Sequence, residues 1–118
     1  MIKFQSLNQN KEFLRILKKK KLNTKYFTLY FEKRIKKNEN KNLNISFVMK
    51  KKIGNAVKRN KIKRKLKAAV QKIIKQKHSI DLSYTYIIFG RNTVYKDKFP
   101  LVFNEVNEVF KKIKQMSY

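Results

Sequence analysis

The chain has 118 residues and no cysteine, and its 32 Lys and Arg residues against 7 Asp and Glu residues give a formal charge of +25. The length and the 42% of apolar residues suit a single domain over residues 1–118 with one modest core, and the absence of cysteine excludes disulfides, a thiolate nucleophile and a cysteine-ligated zinc site. Repulsion within so cationic a chain would be relieved by a polyanion. A nucleic acid is the commonest such partner, and an anionic membrane surface is the alternative.

The first predicted element is a short amphipathic helix. It begins at Asn8 or Asn10, because asparagine is a good N-cap, and runs to about Lys19. Its apolar face consists of Phe13, Ile16 and Leu17. Lysine-rich stretches at 18–21 and 36–41 are predicted to be solvated loops. No apolar segment near the N-terminus is typical of a secretion signal, and none approaches the length of a membrane span, so we expect a cytoplasmic protein.

Two segments with alternating apolar residues predict strands at Tyr26–Lys33 and Leu43–Met49. In the first strand, one face carries Phe27, Leu29 and Phe31, and the other carries Tyr26, Thr28, Tyr30 and Glu32. In the second strand, the inward residues are Leu43, Ile45, Phe47 and Met49, and the outward residues are Asn44, Ser46 and Val48. Each strand is therefore expected to have one face on the core.

A long second helix is predicted at about Ala56–Lys77, with Asn55 as its N-cap. Its apolar stripe is about 100° wide, which is typical of a helix lying on a sheet, and consists of Ile62, Leu66, Ala69, Val70 and Ile73.

The C-terminal part predicts one more strand and one more helix. Tyr84–Phe89 is a nearly continuous apolar run that indicates a buried strand, and Gly90 ends it. Pro100 lies near the start of the last helix, where its missing N–H costs little. The buried stripe of that helix consists of Val102, Val106, Val109, Phe110 and Ile113. The order α-β-β-(β)-α-β-α predicts an α/β (α+β) two-layer sandwich, with a small mixed sheet and the second helix as a crossover between parallel strands.

The segment from Lys50 to Lys67 is the most informative part of the chain, because it holds ten Lys or Arg residues and no acid. Cations at a helix N-terminus are unfavourable by ~0.3–1 kcal/mol each when exposed, so their accumulation there indicates a functional surface. The residues that project away from the apolar stripe are Asn60, Lys61, Arg64, Lys67, Gln71 and Lys75. The alternative is an ordinary solvated lysine face in a lysine-rich protein.

The string from Ile53 to Arg64, IGNAVKRNKIKR, resembles the signature of the bacterial ribonuclease P protein subunit. In that family a basic residue, an asparagine and a second basic residue follow a Gly-Asn turn, and here these three are Arg59, Asn60 and Lys61, with lysine in place of the usual second arginine. The resemblance extends to residues 10–13 (NKEF) and 27–30 (FTLY).

The resemblance implies a holoenzyme in which a large RNA carries the active site and removes the 5′ leader of precursor tRNA. The Mg²⁺ would be bound mainly by the RNA, with no cofactor intrinsic to the protein, and the crossover would be left-handed. The partners would be the catalytic RNA and precursor tRNA, with no membrane and no small-molecule substrate. The implied contacts to the catalytic RNA are Lys51, Lys52, Asn55, Arg59, Asn60, Lys61, Lys63, Arg64 and Lys67. The implied cleft for the leader is lined by Phe13, Leu17 and Tyr30, where Leu17 replaces an aromatic residue of many members.

No motif indicates catalysis by the chain itself. There is no HExxH, no P-loop and no nucleophile elbow, and the lone His78 excludes a two-histidine nuclease mechanism.

Two other functions compete with the ribonuclease P subunit. A small basic ribosomal protein that binds rRNA would have the same size and charge, and a protein-only nuclease would cut precursor tRNA without RNA.

Overall fold

The computed structural model describes residues 4–6, 10–34, 42–77 and 80–116. In chain order its elements are β1 (Phe4–Gln5), α1 (Asn10–Ile16), β2 (Lys20–Asn23), β3 (Phe27–Lys33), β4 (Leu43–Val48), α2 (Ala56–Lys77), β5 (Tyr84–Gly90), α3 (Asn92–Lys96) and α4 (Phe99–Met116). The five strands form one mixed sheet in the order β1-β4-β5-β3-β2. The pairs β1–β4 and β4–β5 are parallel, and β5–β3 and β3–β2 are antiparallel.

The helix α2 connects β4 to β5, which lie side by side in parallel with Ile45 opposite Tyr86. Parallel neighbours cannot be joined by a tight hairpin, so the chain must cross over one face of the sheet between them. The predicted mixed sheet and crossover helix are therefore confirmed. The left-handed course of the crossover stays a prediction.

The main core lies between one face of the sheet and the helices α2 and α4. The inward residues of β3, Phe27, Leu29 and Phe31, are buried as predicted. The apolar stripes predicted for the second and the last helix are buried as well. The ring of Tyr86 on β5 meets that of Phe110 on α4, with 5.1 Å between the centroids. This face of the sheet forms the predicted sandwich with the helices.

The helix α1 lies on the opposite face of the sheet. There the ring of Phe13 meets that of Phe89, and Ile16 and Ile87 are fully buried although they lie outside the main core cluster. The prediction that Ser46 points outward is wrong, because this side chain is only 8% exposed. The alternation of β4 is as expected, but α1 covers part of the face that the sequence leaves for solvent.

Three elements were not predicted: β1, β2 and α3. The lysines at 20 and 21, predicted in a loop, instead begin β2, which pairs with β3 at the edge of the sheet. Exposed lysines suit such an edge because they discourage pairing with another chain. The helix α1 ends at Ile16, three residues before the predicted end. Asn8, His78 and the predicted loop at 36–41 lie outside the described residues.

The structure also corrects the assignment of Tyr26 to the outer face of β3. The strand begins at Phe27, after a turn in which Thr24 Oγ1 accepts hydrogen bonds from the backbone N–H groups of Tyr26 and Phe27. Tyr26 is therefore outside the alternation and buried, and its hydroxyl donates a 2.6 Å hydrogen bond to Asp97 Oδ2. This hydrogen bond raises the pKa of Tyr26 to about 12 and, together with Lys25, lowers the pKa of Asp97.

The last residue of β5, Gly90, allows the sheet to approach α2 closely. A Cβ atom at this position would lie 2.5 Å from Met49 Sδ and 3.0 Å from Ile62 Cγ2. An alanine there would have to push aside the flexible end of the Met49 side chain and would crowd Ile62. The sheet therefore lies close to α2 at Ile62.

Candidate nucleic-acid interface

The N-terminus of α2 is capped as the sequence predicts. Asn55 Oδ1 accepts a 2.9 Å hydrogen bond from the N–H of Lys58, and the carbonyl of Asn55 accepts one from the N–H of Arg59. Gly54, just before the cap, has φ 158° and ψ −168°, a conformation that essentially only glycine adopts. Residues 51–53 form one turn of 3₁₀-helix ahead of it. The basic residues of this turn are therefore held close to the start of α2.

The residues predicted to contact RNA on α2 and its preceding turn point to solvent, with one exception. The exposed ones are Lys51, Lys52, Asn55, Asn60, Lys61, Lys63, Arg64 and Lys67. Arg59 is half-buried, and its Nε is buried without a hydrogen-bond partner in the described part of the chain. We call the exposed set, with Arg59, the basic face.

No carboxylate neutralises the basic face within the described ranges. The ion pairs among the described residues join Arg15 to Glu32, Lys25 to Asp97 and Lys111 to Glu108. None of them involves a cation between residues 50 and 67. Uncompensated charge of one sign at this density attracts counter-ions strongly and raises their local concentration. The basic face therefore has the electrostatic character of a phosphate-binding surface.

A second candidate surface lies on the other side of the sheet and consists of Phe13, Tyr30 and Phe89; we call it the aromatic cleft. The ring centroid of Phe89 lies 5.5 Å from that of Tyr30 and 6.4 Å from that of Phe13, both in edge-to-face contact. Two ammonium groups lie over these rings, Lys21 Nζ at 6.0 Å from the Tyr30 centroid and Lys50 Nζ at 5.6 Å from the Phe89 centroid. Aromatic rings next to cations are suited to unpaired nucleotides.

The structure brings two of the three predicted cleft residues together through a residue that the sequence did not indicate. Phe89 contacts both Phe13 and Tyr30. It lies in the apolar run of β5, where nothing distinguishes a residue under α1 from a residue in the main core. Leu17 is half-buried just beyond α1, and its N–H donates to the carbonyl of Phe13, so it follows Phe13 on the same side of the helix.

A pocket of about 520 Å³ connects the aromatic cleft with the turn before α2. It is lined on one side by Phe89 and Thr28 and on the other by Lys50 and Lys52. Arg91 also lines it, and its Nη2 donates a 2.9 Å hydrogen bond to Thr28 Oγ1. The aromatic cleft therefore continues into the region of the basic face.

On the other flank of α2, two cations of the basic face approach the aromatic cleft. Lys63 and Lys67 line a pocket of about 320 Å³ together with Phe13, Ser46 and Phe47. Residues that the family resemblance assigned to two different RNA molecules thus share one pocket. Lys63 and Lys67 lie at the border between the two surfaces.

Neither a group of metal-ligating side chains nor a membrane-spanning helix occurs among the described residues. Among them, no three His, Cys, Asp or Glu side chains are grouped so that they could hold a metal ion. No helix within the same ranges is both long and apolar enough to cross a bilayer.

The fold and these surfaces define a small basic α/β protein with an uncompensated cationic helix and an adjoining aromatic cleft. The sequence model of the ribonuclease P family matches residues 1–114, and the chain therefore belongs to this family.

Its relatives are similar over nearly their whole length. The ribonuclease P protein component of Bacillus cereus is 32% identical over 113 residues, which are 95% of this chain and 93% of the relative. That of Mesomycoplasma hyopneumoniae is 30% identical over 116 residues, 98% and 97% of the two chains. Among solved structures, the RNase P protein from Thermotoga maritima has a TM-score of 0.70 at 24% identity, over 92% of this chain and 96% of that one. A mutant of the Staphylococcus aureus RNase P protein has a TM-score of 0.70 at 27% identity, over 92% and 87%.

Proposed function

We propose that this chain is the protein subunit of a ribonuclease P holoenzyme, which removes the 5′ leader of precursor tRNA. The observation that carries the proposal is the uncompensated basic face on α2, in a chain that belongs to the ribonuclease P family. In this proposal the basic face docks on the catalytic RNA, and the aromatic cleft receives the single-stranded leader. We expect the complex to act in the cytoplasm.

Three features support docking by the basic face. Most of its side chains are exposed, they have no carboxylate partners in the described ranges, and they project from a capped helix fixed to the sheet. Arg59 would take part after a rotation of its side chain, because its buried and unpaired Nε would gain a phosphate acceptor on moving outward. Lys61, where the family usually has arginine, would hold a phosphate as a point charge but would not form a bidentate contact.

The aromatic cleft is suited to a leader because leaders differ in sequence. Every base has a π-face, so stacking on Tyr30 or Phe89 would be tolerant of sequence, while Lys21 and Lys50 would hold the phosphates. The connecting pocket gives the leader a route from the cleft toward the turn before α2. Lys63 and Lys67, which border both surfaces, would contact the catalytic RNA beside the leader.

In this proposal bond cleavage belongs to the RNA. The Mg²⁺ would be held mainly by the RNA, which would supply the activated water and the stabilisation of the leaving oxygen. The protein would raise the affinity for substrate and lower the Mg²⁺ concentration that the RNA needs. It would do so by bringing cations and stacking surfaces to a polyanion that otherwise depends on free counter-ions.

The proposal is tested by capturing the tagged full-length chain from its host and sequencing the RNA that co-purifies, after sedimentation has separated ribosomal subunits. We expect one structured RNA of low abundance, and we expect it to cleave precursor tRNA. Stoichiometric sedimentation with a ribosomal subunit would instead show a ribosomal protein and would overturn the proposal.

A further inference from the structure

A pocket on the outward side of α2 contains an aromatic residue that neither surface described above includes. Tyr95 on α3 is 43% exposed and lines a pocket of about 630 Å³ with Lys61, Arg64 and Lys65. We call it the Tyr95 pocket. Its volume falls within the range of about 300–1,000 Å³ that is usual for small-ligand sites, and it is open to solvent.

The ring of Tyr95 is surrounded by positive charge. Lys58 Nζ lies 5.1 Å and Lys61 Nζ 6.0 Å from its centroid. Both distances are within the range of a cation–π contact, and such contacts at exposed sites are weak enough to be exchanged for a phosphate. An exposed ring beside cations is the usual arrangement for stacking an unpaired base while its phosphates are neutralised.

The platform that carries Tyr95 is rigidly attached to α2. Lys65 Nζ donates hydrogen bonds to the carbonyls of Val94 at 2.9 Å and Asp97 at 2.7 Å, on either side of the tyrosine. Val94 itself is fully buried, and Thr93 Oγ1 donates a 2.6 Å hydrogen bond to the carbonyl of Lys25. The backbone that carries the ring is therefore held in place before any ligand arrives, which reduces the entropy lost on binding.

We propose that the Tyr95 pocket binds one unpaired nucleotide of the catalytic RNA, with its base stacked on Tyr95 and its phosphates near Lys61 and Arg64. This inference rests on the proposed function. The catalytic RNA is favoured over the leader because Lys61 and Arg64 belong to the basic face and line neither of the two pockets that this face shares with the aromatic cleft.

The test compares Tyr95→Ala, Tyr95→Leu and Tyr95→Phe in the full-length chain, by measuring affinity for the transcribed catalytic RNA over a series of salt concentrations. Loss of one stacked base should weaken binding by about 5- to 150-fold in the alanine variant. The salt dependence should stay unchanged, because no charge is removed. The leucine variant should resemble alanine and the phenylalanine variant the wild type, because only phenylalanine keeps the ring. Thermal unfolding of each variant shows whether it is folded.

Arg64→Ala distinguishes failure of this inference from failure of the proposed function. If Arg64→Ala lowers the salt slope while a folded Tyr95→Ala binds like the wild type, the inference alone is wrong. If neither variant changes binding, docking by the basic face is wrong as well. If Tyr95→Ala weakens binding of leader-bearing precursor tRNA to the holoenzyme but leaves assembly unchanged, the pocket serves the leader and the inference is overturned.

Discussion

Replacing Lys61 and Arg64 together with glutamine should weaken assembly with the catalytic RNA by an amount that depends on salt in a defined way. Both side chains are exposed on α2 and lie away from the ion pairs of the described residues, so their removal costs the fold little. If each side chain contacts one phosphate, the negative slope of log K against log salt should become shallower by about 1.4–1.8 units. Affinity should then drop by about 20-fold at 0.15 M and about 120-fold at 0.05 M salt, and the difference should vanish near 1 M.

The assay is filter binding or fluorescence anisotropy with labelled catalytic RNA at four or more salt concentrations. The control is Lys111→Gln with Lys112→Gln, which removes the same charge from exposed positions on α4 and breaks one exposed ion pair, that of Lys111 with Glu108. We expect the control to leave the slope within about 0.3 units of the wild type, because long-range attraction is screened within ~10 Å at 0.1 M salt. Equal changes in both double variants would mean that the RNA responds to net charge, and the docking assignment would be refuted.

Further predictions concern the cleft, the core and the buried tyrosine. Tyr30→Ala should leave assembly unchanged but weaken binding of precursor tRNA by ~1–3 kcal/mol, and mature tRNA, which has no leader, should bind as before; equal loss for both would contradict the cleft assignment. Gly90→Ala should lower the free energy of unfolding in urea by about 1 kcal/mol, because its Cβ would displace the flexible end of Met49 and crowd Ile62; a raised midpoint would contradict the close approach. Tyr26→Phe should destabilise the protein most between pH 3.8 and pH 10.0, the ordinary pKa values of Asp97 and tyrosine. Stability from this hydrogen bond is lost as pH falls through the lowered pKa of Asp97, and as pH rises from 10.0 through about 12. A difference from the wild type that does not vary with pH would exclude this contribution.

The helix α2 could be predicted from the sequence because its signals are local. An asparagine cap, an apolar stripe at helical spacing and an absence of acids occur within one continuous segment, and the structure places the cap and the stripe as expected. The outward direction of most of the basic face followed from the same periodicity. Arg59 is the exception, since the first turn of the helix puts it beside the apolar side.

The parts that could not be predicted depend on contacts between distant segments. The lysine-rich residues of β2 have low strand propensity and form a strand because β3 offers them a free edge. Phe89 belongs to the aromatic cleft only because α1 lies over that end of β5. Tyr95 lies in a short segment without periodicity, and its position beside Lys61 depends on the hydrogen bonds of Lys65 to α3. No pattern within any one of these segments carries that information.

The central claim is that this chain is an RNA-binding accessory and that a ribonucleic acid cleaves the substrate. The most direct measurement is the rate of 5′-leader removal from precursor tRNA at limiting Mg²⁺ by the purified chain, by its co-purified RNA after removal of protein, and by the two recombined. We predict no cleavage by the chain alone, slow cleavage by the RNA alone and fast cleavage by the mixture. Cleavage at the mature 5′ end by the RNA-free chain would contradict the account.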